Sequence, residues 1–325
     1  MRRRQFIAGF GSAVAWPATT RAQRAPIPVI GVLASFAFTP VWRVRIAALH
    51  QGLAEIGYVE GRNLVVEYRW AEDHYDRLPM LAADLVRRQV AVIVSLTNVP
   101  AALAAQAATR SIPIVFAVGV DPVEYGLVAS LARPGGNLTG FTGLTREVMA
   151  KRLELLRELV PRAASIAYLF NSANFASEID DVKKGALLLG LRLMMMDAKD
   201  HSEIGPAFER MAQQQADALL VSSETLFISY NDEIATLAKR YKIPSMFVMR
   251  EAVEQGGLIS YGVNAPDLWR QVGVYVGRIL NGEKAAELPV QQPTRWAMVI
   301  NLKTAKALDL TIPNTLLVRA DEVIE

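Results

Sequence analysis

The sequence predicts an α/β fold of two parallel-sheet lobes joined by three chain crossings, and three observations lead there. Short β-branched runs alternate with helical periodicity from residue 26 onward, the pattern of strands covered by helices on both faces. Gly/Pro-rich punctuation at 132–140 separates four such runs from five more, and further breaks follow at 262–266 and 287–293, as expected where a chain passes between lobes. No cysteine occurs among the 325 residues. The fold must therefore rest on its apolar core, which roughly 300 residues supply as one large or two ordinary domains.

Strands of the first lobe are expected at 29–35, 64–70, 91–96 and 112–119, with helices at 44–56, 78–88 and 101–109 between them. VIGVLAS, AVIVSL and IPIVFAVG are nearly continuous apolar runs, which suits strands buried on both faces. The second lobe is expected to hold strands at 165–170, 191–198, 218–223, 243–248 and 258–262, with helices at 147–159, 179–189, 204–215 and 233–241. A helix over 267–280 follows, then a last strand and helix over 296–308. These breaks assign 23–141 and 264–292 to lobe 1, and 142–263 and 293–325 to lobe 2.

Residues 1–22 read as an export signal. Arg2, Arg3 and Arg4 precede an apolar stretch over 6–16, and Thr20-Arg21-Ala22 supplies small residues at a peptidase's spacing. The stretch is well short of the ~20 residues that span a bilayer, so cleavage near Ala22/Gln23 is expected to release a periplasmic, monomeric protein. Arg3-Arg4-Gln5-Phe6-Ile7 resembles the twin-arginine type of signal, the general secretory route being the alternative. The whole chain has 35 Lys+Arg against 32 Asp+Glu, and loss of Arg2, Arg3, Arg4 and Arg21 leaves 31 basic residues. A nearly neutral mature protein with no basic cluster argues against nucleic acid as a partner. Without cysteine there is no lipid-modified N-terminus, and no later apolar run approaches membrane-spanning length.

Ligands of open α/β sheets bind outside the carboxyl ends of the strands. Ser35 ends the first run with Thr39-Pro40 close behind, Thr97-Asn98 precedes Pro100 after the third, and Asp121-Pro122 follows the fourth. A capping side chain followed by proline marks a helix start. Three helix N-termini in one lobe would direct N–H groups into a crevice suited to a small carboxylate or another anion; the same side chains also serve as plain caps. Asp121, being negative, either caps or meets an ammonium. The second lobe offers Asn171, Ser222, Phe247, Arg250 and Tyr261 at its own strand ends. Phe36, Phe38, Phe170, Phe247 and Tyr261 are placed to clamp a planar ligand, with core packing as the alternative. Arg250 is suited to a bidentate grip on a ligand carboxylate, or to pairing with Glu251 or Glu254 on its own helix. The candidate ligand set is Ser35, Thr39, Thr97, Asn98, Asp121, Asn171, Ser222, Phe247, Arg250 and Tyr261.

No catalytic residue, metal or cofactor is expected. The only Gly-x-Gly is Gly9-Phe10-Gly11 in the signal, and no Gly-x-Ser-x-Gly occurs, so dinucleotide, P-loop and nucleophile-elbow signatures are missing. His50, His74 and His201 are dispersed, and Glu72-Asp73-His74-Tyr75-Asp76 reads as a loop and helix start rather than a metal site. Asp180, Asp181, Lys183 and Lys184 read as a solvated helix face.

Four segments carry a resemblance that spans the mature chain. They are Ile112-Pro113-Ile114-Val115-Phe116-Ala117 with Asp121-Pro122-Val123, the stretch from Leu127 to Gly140, Gly256-Gly257-Leu258-Ile259-Ser260-Tyr261-Gly262, and the stretch from Val299 to Leu308. Together they resemble the tryptophan/tyrosine-binding type of ABC-transporter substrate-binding proteins. The resemblance implies the type I periplasmic binding protein fold, two Rossmann-like lobes with a three-crossover hinge that close on a small ligand. It also implies delivery to an ABC permease in the inner membrane. An amino acid, an aromatic acid or another small carboxylate is the expected ligand. A sensor presenting its ligand to a membrane receptor and an exported α/β enzyme are the competing readings. A sugar-type repressor shares the lobe architecture, but the export signal occupies the place of its DNA-binding helices.

Overall fold

The structure, a computed structural model, describes residues 26–96, 98–143, 145–172, 177–293 and 295–325. The export signal at 1–22 and the candidate Thr97 lie outside the described residues. The first lobe is built from β1 (Val29–Ala34), α1 (Pro40–Glu55), β2 (Val65–Trp70), α2 (Leu78–Arg87), β3 (Val92–Leu96), α3 (Val99–Ala108), β4 (Ile114–Val118) and β5 (Leu138–Thr142). Its five strands run parallel in the order β2-β1-β3-β4-β5.

Alternation along each strand explains the continuous apolar runs. Ile30, Val32, Val92, Val94 and Val115 face one core beneath α1, while Leu33, Ile93, Ile114 and Phe116 face another beneath α2 and α3. A strand buried on both sides favours apolar residues at every position, and Ser95 of β3 is buried with the rest.

The second lobe follows with α4 (Thr145–Leu159), β6 (Ser165–Phe170), α5 (Ser177–Leu188), β7 (Arg192–Asp197), α6 (Ile204–Gln213), β8 (Ala218–Val221), α7 (Thr225–Ser229), α8 (Asn231–Arg240), β9 (Ser245–Phe247), α9 (Arg250–Glu254) and β10 (Ile259–Val263). The chain then forms α10 (Ala265–Leu280), β11 (Trp296–Asn301), α11 (Leu302–Ala307), α12 (Asn314–Arg319) and β12 (Glu322–Ile324). The seven-stranded sheet has the order β12-β11-β10-β9-β8-β6-β7. Ile166 and Tyr168 face one core, and Ala167 and Leu169 the other.

Two features depart from the expected pattern. β5 begins inside the stretch read as a crossing, so the first sheet has five strands. Its Gly140 is at φ +154°, and an added Cβ would lie 1.9 Å from the Phe116 carbonyl oxygen. The second sheet is also not wholly parallel, because β11 pairs antiparallel with β10. β10 ends toward the first lobe, the chain makes α10 there, and β11 re-enters where β10 left, with Val263 opposite Trp296. Re-entry at the exit end requires the opposite direction.

α10 belongs with the first lobe's core. Val272, Tyr275, Val276 and Ile279 pack with Leu49 and Leu53 of α1, and Gly52 and Gly273 allow the two backbones to meet. A Cβ on Gly52 would lie 1.8 Å from the Arg270 carbonyl oxygen. Gly52→Ala must therefore push the helices apart, and a loss of about 1–3 kcal/mol is expected from such overpacking, measurable as a lower urea midpoint.

Candidate ligand-binding cleft

Side chains just beyond the parallel strands of the two lobes make contact with one another. The Trp42 indole donates from Nε1 to Ser229 Oγ over 2.8 Å, and Ile228 of α7 packs into the first lobe's core with Phe36, Trp42 and Trp269. Trp42 stacks on Phe36 with centroids 3.5 Å apart, and the Arg45 guanidinium lies over the Trp42 ring at 4.7 Å. Arg45 is only 1% exposed, and its Nη2 reaches Glu251 Oε1 across the cleft at 3.5 Å. Burial lowers the Arg45 pKa, against the opposing pull of Glu251.

A polar cluster forms where β1, β2 and β3 end. Glu72 and Asp73 both take left-handed backbone angles, at φ 56° and 64°, and the Asp73 N–H donates to the Ser35 carbonyl over 2.8 Å. That turn brings the Asp73 carboxyl to the Ala37 N–H and close to His201 of the second lobe. Burial raises the Asp73 pKa, against the lowering effect of Ala37, His74 and His201. The neighbouring Tyr75 hydroxyl faces Asn98 in its own lobe and Thr225 in the other; burial, followed by the charge of Glu224, raises its pKa. Tyr230 of the second lobe also feels Asp73.

Several polar atoms of this region are buried without a partner among the described residues. They include Thr39 Oγ1 and Asp73 Oδ1 on the first lobe, and Ser222 Oγ and Asn231 Nδ2 on the second. An unsatisfied buried polar group costs about 1–3 kcal/mol, which a ligand supplying the missing hydrogen bonds would recover.

The sequence-derived candidates divide into groups. Ser35 and Asn98 meet, with Asn98 Nδ2 donating to Ser35 Oγ over 2.5 Å. Asn98 Oδ1 also caps α3 by accepting from the Ala101 N–H. Thr39 holds the N-cap position of α1 before Pro40, yet its hydroxyl makes no capping bond. Ser222 is buried after β8. Asn171 is buried after β6, where its amide donates to the Lys199 carbonyl.

Asp121 starts no helix, so the first lobe has two helix N-termini at these strand ends rather than three. Its carboxylate accepts from the Val123 N–H, but the chain then closes on itself through Gly126 to Val123 and Leu127 to Pro122 bonds. Phe247 lies in the second lobe's core, fully buried beside Phe227 and Ala252, because the inward face of β9 points at α8 rather than the cleft. Arg250 is 40% exposed and paired with Glu254 at 2.7 Å and Glu322 at 3.1 Å; two carboxylates occupy its fork. The Tyr261 ring packs near Trp296 at 6.2 Å, and its carbonyl accepts from Arg152 Nε.

Beside the crossings, a cavity of about 90 Å³ is lined by Arg45, Arg152, Ile228, Met249, Trp269 and Trp296, together with Gly143 and Val263. Asp73, Tyr75, Arg45 and the two tryptophans were not among the sequence candidates. For Arg45 the available signal was a charge in the Trp42, Arg45, Leu49 stripe, whose other members are apolar and buried. Among the described residues no cluster of three or more His, Cys, Asp or Glu is arranged to hold a metal. No helix among them is long and apolar enough to cross a membrane.

Comparison with known proteins gives a consistent result. A family model described as ABC transporter substrate binding protein matches residues 39–324. The chain is 28% identical over 277 residues to the tyrosine-binding protein of Clostridioides difficile (strain R20291), covering 84% of this chain and 79% of that protein. It superposes with TM-score 0.84 on a conserved domain protein from Vibrio cholerae, at 29% identity over 91% of this chain and 99% of that one. An ABC domain from Streptococcus pneumonia in complex with L-Trp gives TM-score 0.80 at 28% identity, covering 91% and 100%. A ligand-free, open substrate-binding protein with adhesive properties from Clostridium difficile gives 0.62 at 25% identity, covering 92% and 99%.

Proposed function

The chain belongs to the ABC transporter substrate-binding protein family, and from that premise we propose that it captures an aromatic amino acid between its lobes and passes it to a membrane permease. The observation that carries this reading is the set of buried polar atoms without a partner among the described residues on both lobes, Thr39 Oγ1 and Asp73 Oδ1 on one and Ser222 Oγ and Asn231 Nδ2 on the other. In it, Asp73 receives the ligand ammonium. The positive ends of the α1 and α3 dipoles, together with Ser222, receive the carboxylate. The apolar cavity beside the crossings receives the ring. The tyrosine-binding relative and the L-Trp complex support the ligand class.

Ligand bound by both lobes favours the closed form in proportion to its extra contacts there. The cross-cleft Trp42 to Ser229 bond is of the kind that closure would make. Better superposition on the L-Trp complex than on the open, ligand-free relative supports a closed arrangement in this structure. The moving bodies in this reading are 23–141 with 264–292, and 142–263 with 293–325. Delivery to an inner-membrane permease requires export, so residues 1–22 are taken as a signal removed at Ala22/Gln23 in the periplasm.

L-Tryptophan and L-tyrosine are the probes. Each is expected to raise the melting temperature, as a ligand of the folded state must, and to reduce the radius of gyration in small-angle scattering. The ligand should be recovered chemically intact. A melting temperature indifferent to both, or a ligand converted in proportion to protein, overturns the proposal.

A further inference from the structure

The cavity beside the crossings brings together two cationic side chains from opposite lobes. Arg45 of α1 and Arg152 of α4 both line it, and both are almost fully buried. The other walls are largely apolar, with Ile228, Met249, Trp269 and Trp296 among them, and no described residue of the lining is acidic. Glu251 meets Arg45 Nη2 at the long distance of 3.5 Å but lies outside that lining. Arg45 Nε is buried with no partner among the described residues, while Arg152 Nε donates to the uncharged Tyr261 carbonyl over 2.8 Å.

We infer that this cavity receives a second acid group, carried at the far end of the ligand's ring. A carboxylate accepts hydrogen bonds at both oxygens, so it can take the unused Arg45 Nε–H and face Arg152 of the other lobe. Two guanidiniums brought to one buried space repel, and an anion between them turns that repulsion into attraction. Burial already lowers the Arg45 pKa, which marks a charge held away from water. A bare ring would leave Arg45 Nε unsatisfied, and an ammonium at the same place would add a third cation. Because the two arginines stand on different lobes, an acid group held by both also favours the closed form. The volume of about 90 Å³, where about 10–15 Å³ admits one water, takes a substituted ring end, though not a whole amino acid. This rests on the proposed binding of an aromatic amino acid in the same cleft, and it narrows the class to one with an acidic substituent on its ring, which neither tyrosine nor tryptophan has.

The test is calorimetric titration of the mature protein with 4-carboxy-L-phenylalanine and 4-carbamoyl-L-phenylalanine, which match in size and differ in charge, beside L-tyrosine and L-tryptophan. The carboxy compound should bind about ten- to a hundredfold tighter than the carbamoyl one, the range of a hydrogen bond to a charged group, and tighter than either natural amino acid. Arg152→Gln removes one of the two charges and should narrow the ratio between the matched pair about tenfold. Arg152 also holds the Tyr261 carbonyl, so the companion variant is Arg45→Met/Glu251→Leu, which removes an ion pair as a unit and should narrow the ratio likewise. Equal affinity for the matched pair in the wild type, or an undiminished ratio in a variant that folds, overturns the inference, and binding of L-tyrosine or L-tryptophan then leaves the binding role standing. Failure of all four compounds to bind defeats the proposed function, and the inference with it.

Discussion

Replacing Trp42 with alanine is expected to lower the free energy of unfolding by about 3–5 kcal/mol, the range for deleting a fully buried aromatic side chain. The ring has no exposed surface, stacks on Phe36, abuts Trp269 at 5.9 Å and carries the Arg45 guanidinium on its face. Its deletion leaves a void at the junction of the lobes and removes the surface over which a buried cation is held. Trp42→Phe separates packing from closure, because it keeps a ring but loses the N–H that reaches Ser229 Oγ. A neutral hydrogen bond of about 0.5–1.5 kcal/mol lost only from the closed form should weaken L-tyrosine binding roughly two- to tenfold. Denaturant melts and titrations of both variants check this. A Trp42→Phe protein that melts earlier but binds normally would show that the bond serves folding and not closure.

What the sequence disclosed follows from where each residue finds its partners. β1, β3 and β4 were legible because both faces of each are buried, so their apolar runs have no competing explanation. β5 was not, since LTGFT sits among Gly and Pro and its Gly140 is required by the nearness of the Phe116 carbonyl on β4, a contact no local pattern encodes. α7, α9 and α12 have only five or six residues each, too short to display a helical period.

The rule that ligands meet strand ends led to Ser35, Asn98 and Ser222, and the structure places all three there as buried polar side chains. Individual roles were not legible. For Arg250 the sequence offered a ligand or a carboxylate of its own helix; Glu254 does hold it, whereas Glu322, which shares it, lies 72 residues away and gave no local sign. Arg45 was passed over because its position inside a helix gives no hint that Glu251 stands opposite, 206 residues on. Asp73 was read as part of a loop, which it is; only the left-handed turn through Glu72 and Asp73 directs its carboxyl toward the other lobe.

Asp73→Asn is expected to weaken L-tyrosine binding by about ten- to a hundredfold while raising the melting temperature of the free protein. The first effect follows from losing a charge-assisted bond to the ligand ammonium, worth about 1.5–3 kcal/mol. The second follows from burial, which disfavours the charged carboxyl and raises its pKa in the folded state. A raised carboxyl pKa means that the folded protein binds more protons here than the unfolded chain, so this group's contribution to stability falls as pH rises through that range and recovers on acidification. Affinity must move the other way, because a protonated carboxyl no longer attracts an ammonium. Between about pH 7 and the ordinary aspartate range near pH 4, the wild type should therefore bind progressively less tightly, and a corresponding part of both pH slopes should disappear in Asp73→Asn. Titrations and melts across that range provide the measurement. Equal affinity of the two proteins at neutral pH would remove Asp73 from the binding site, whereas weaker binding without a gain in melting temperature would mean that its burial carries no cost in the free protein.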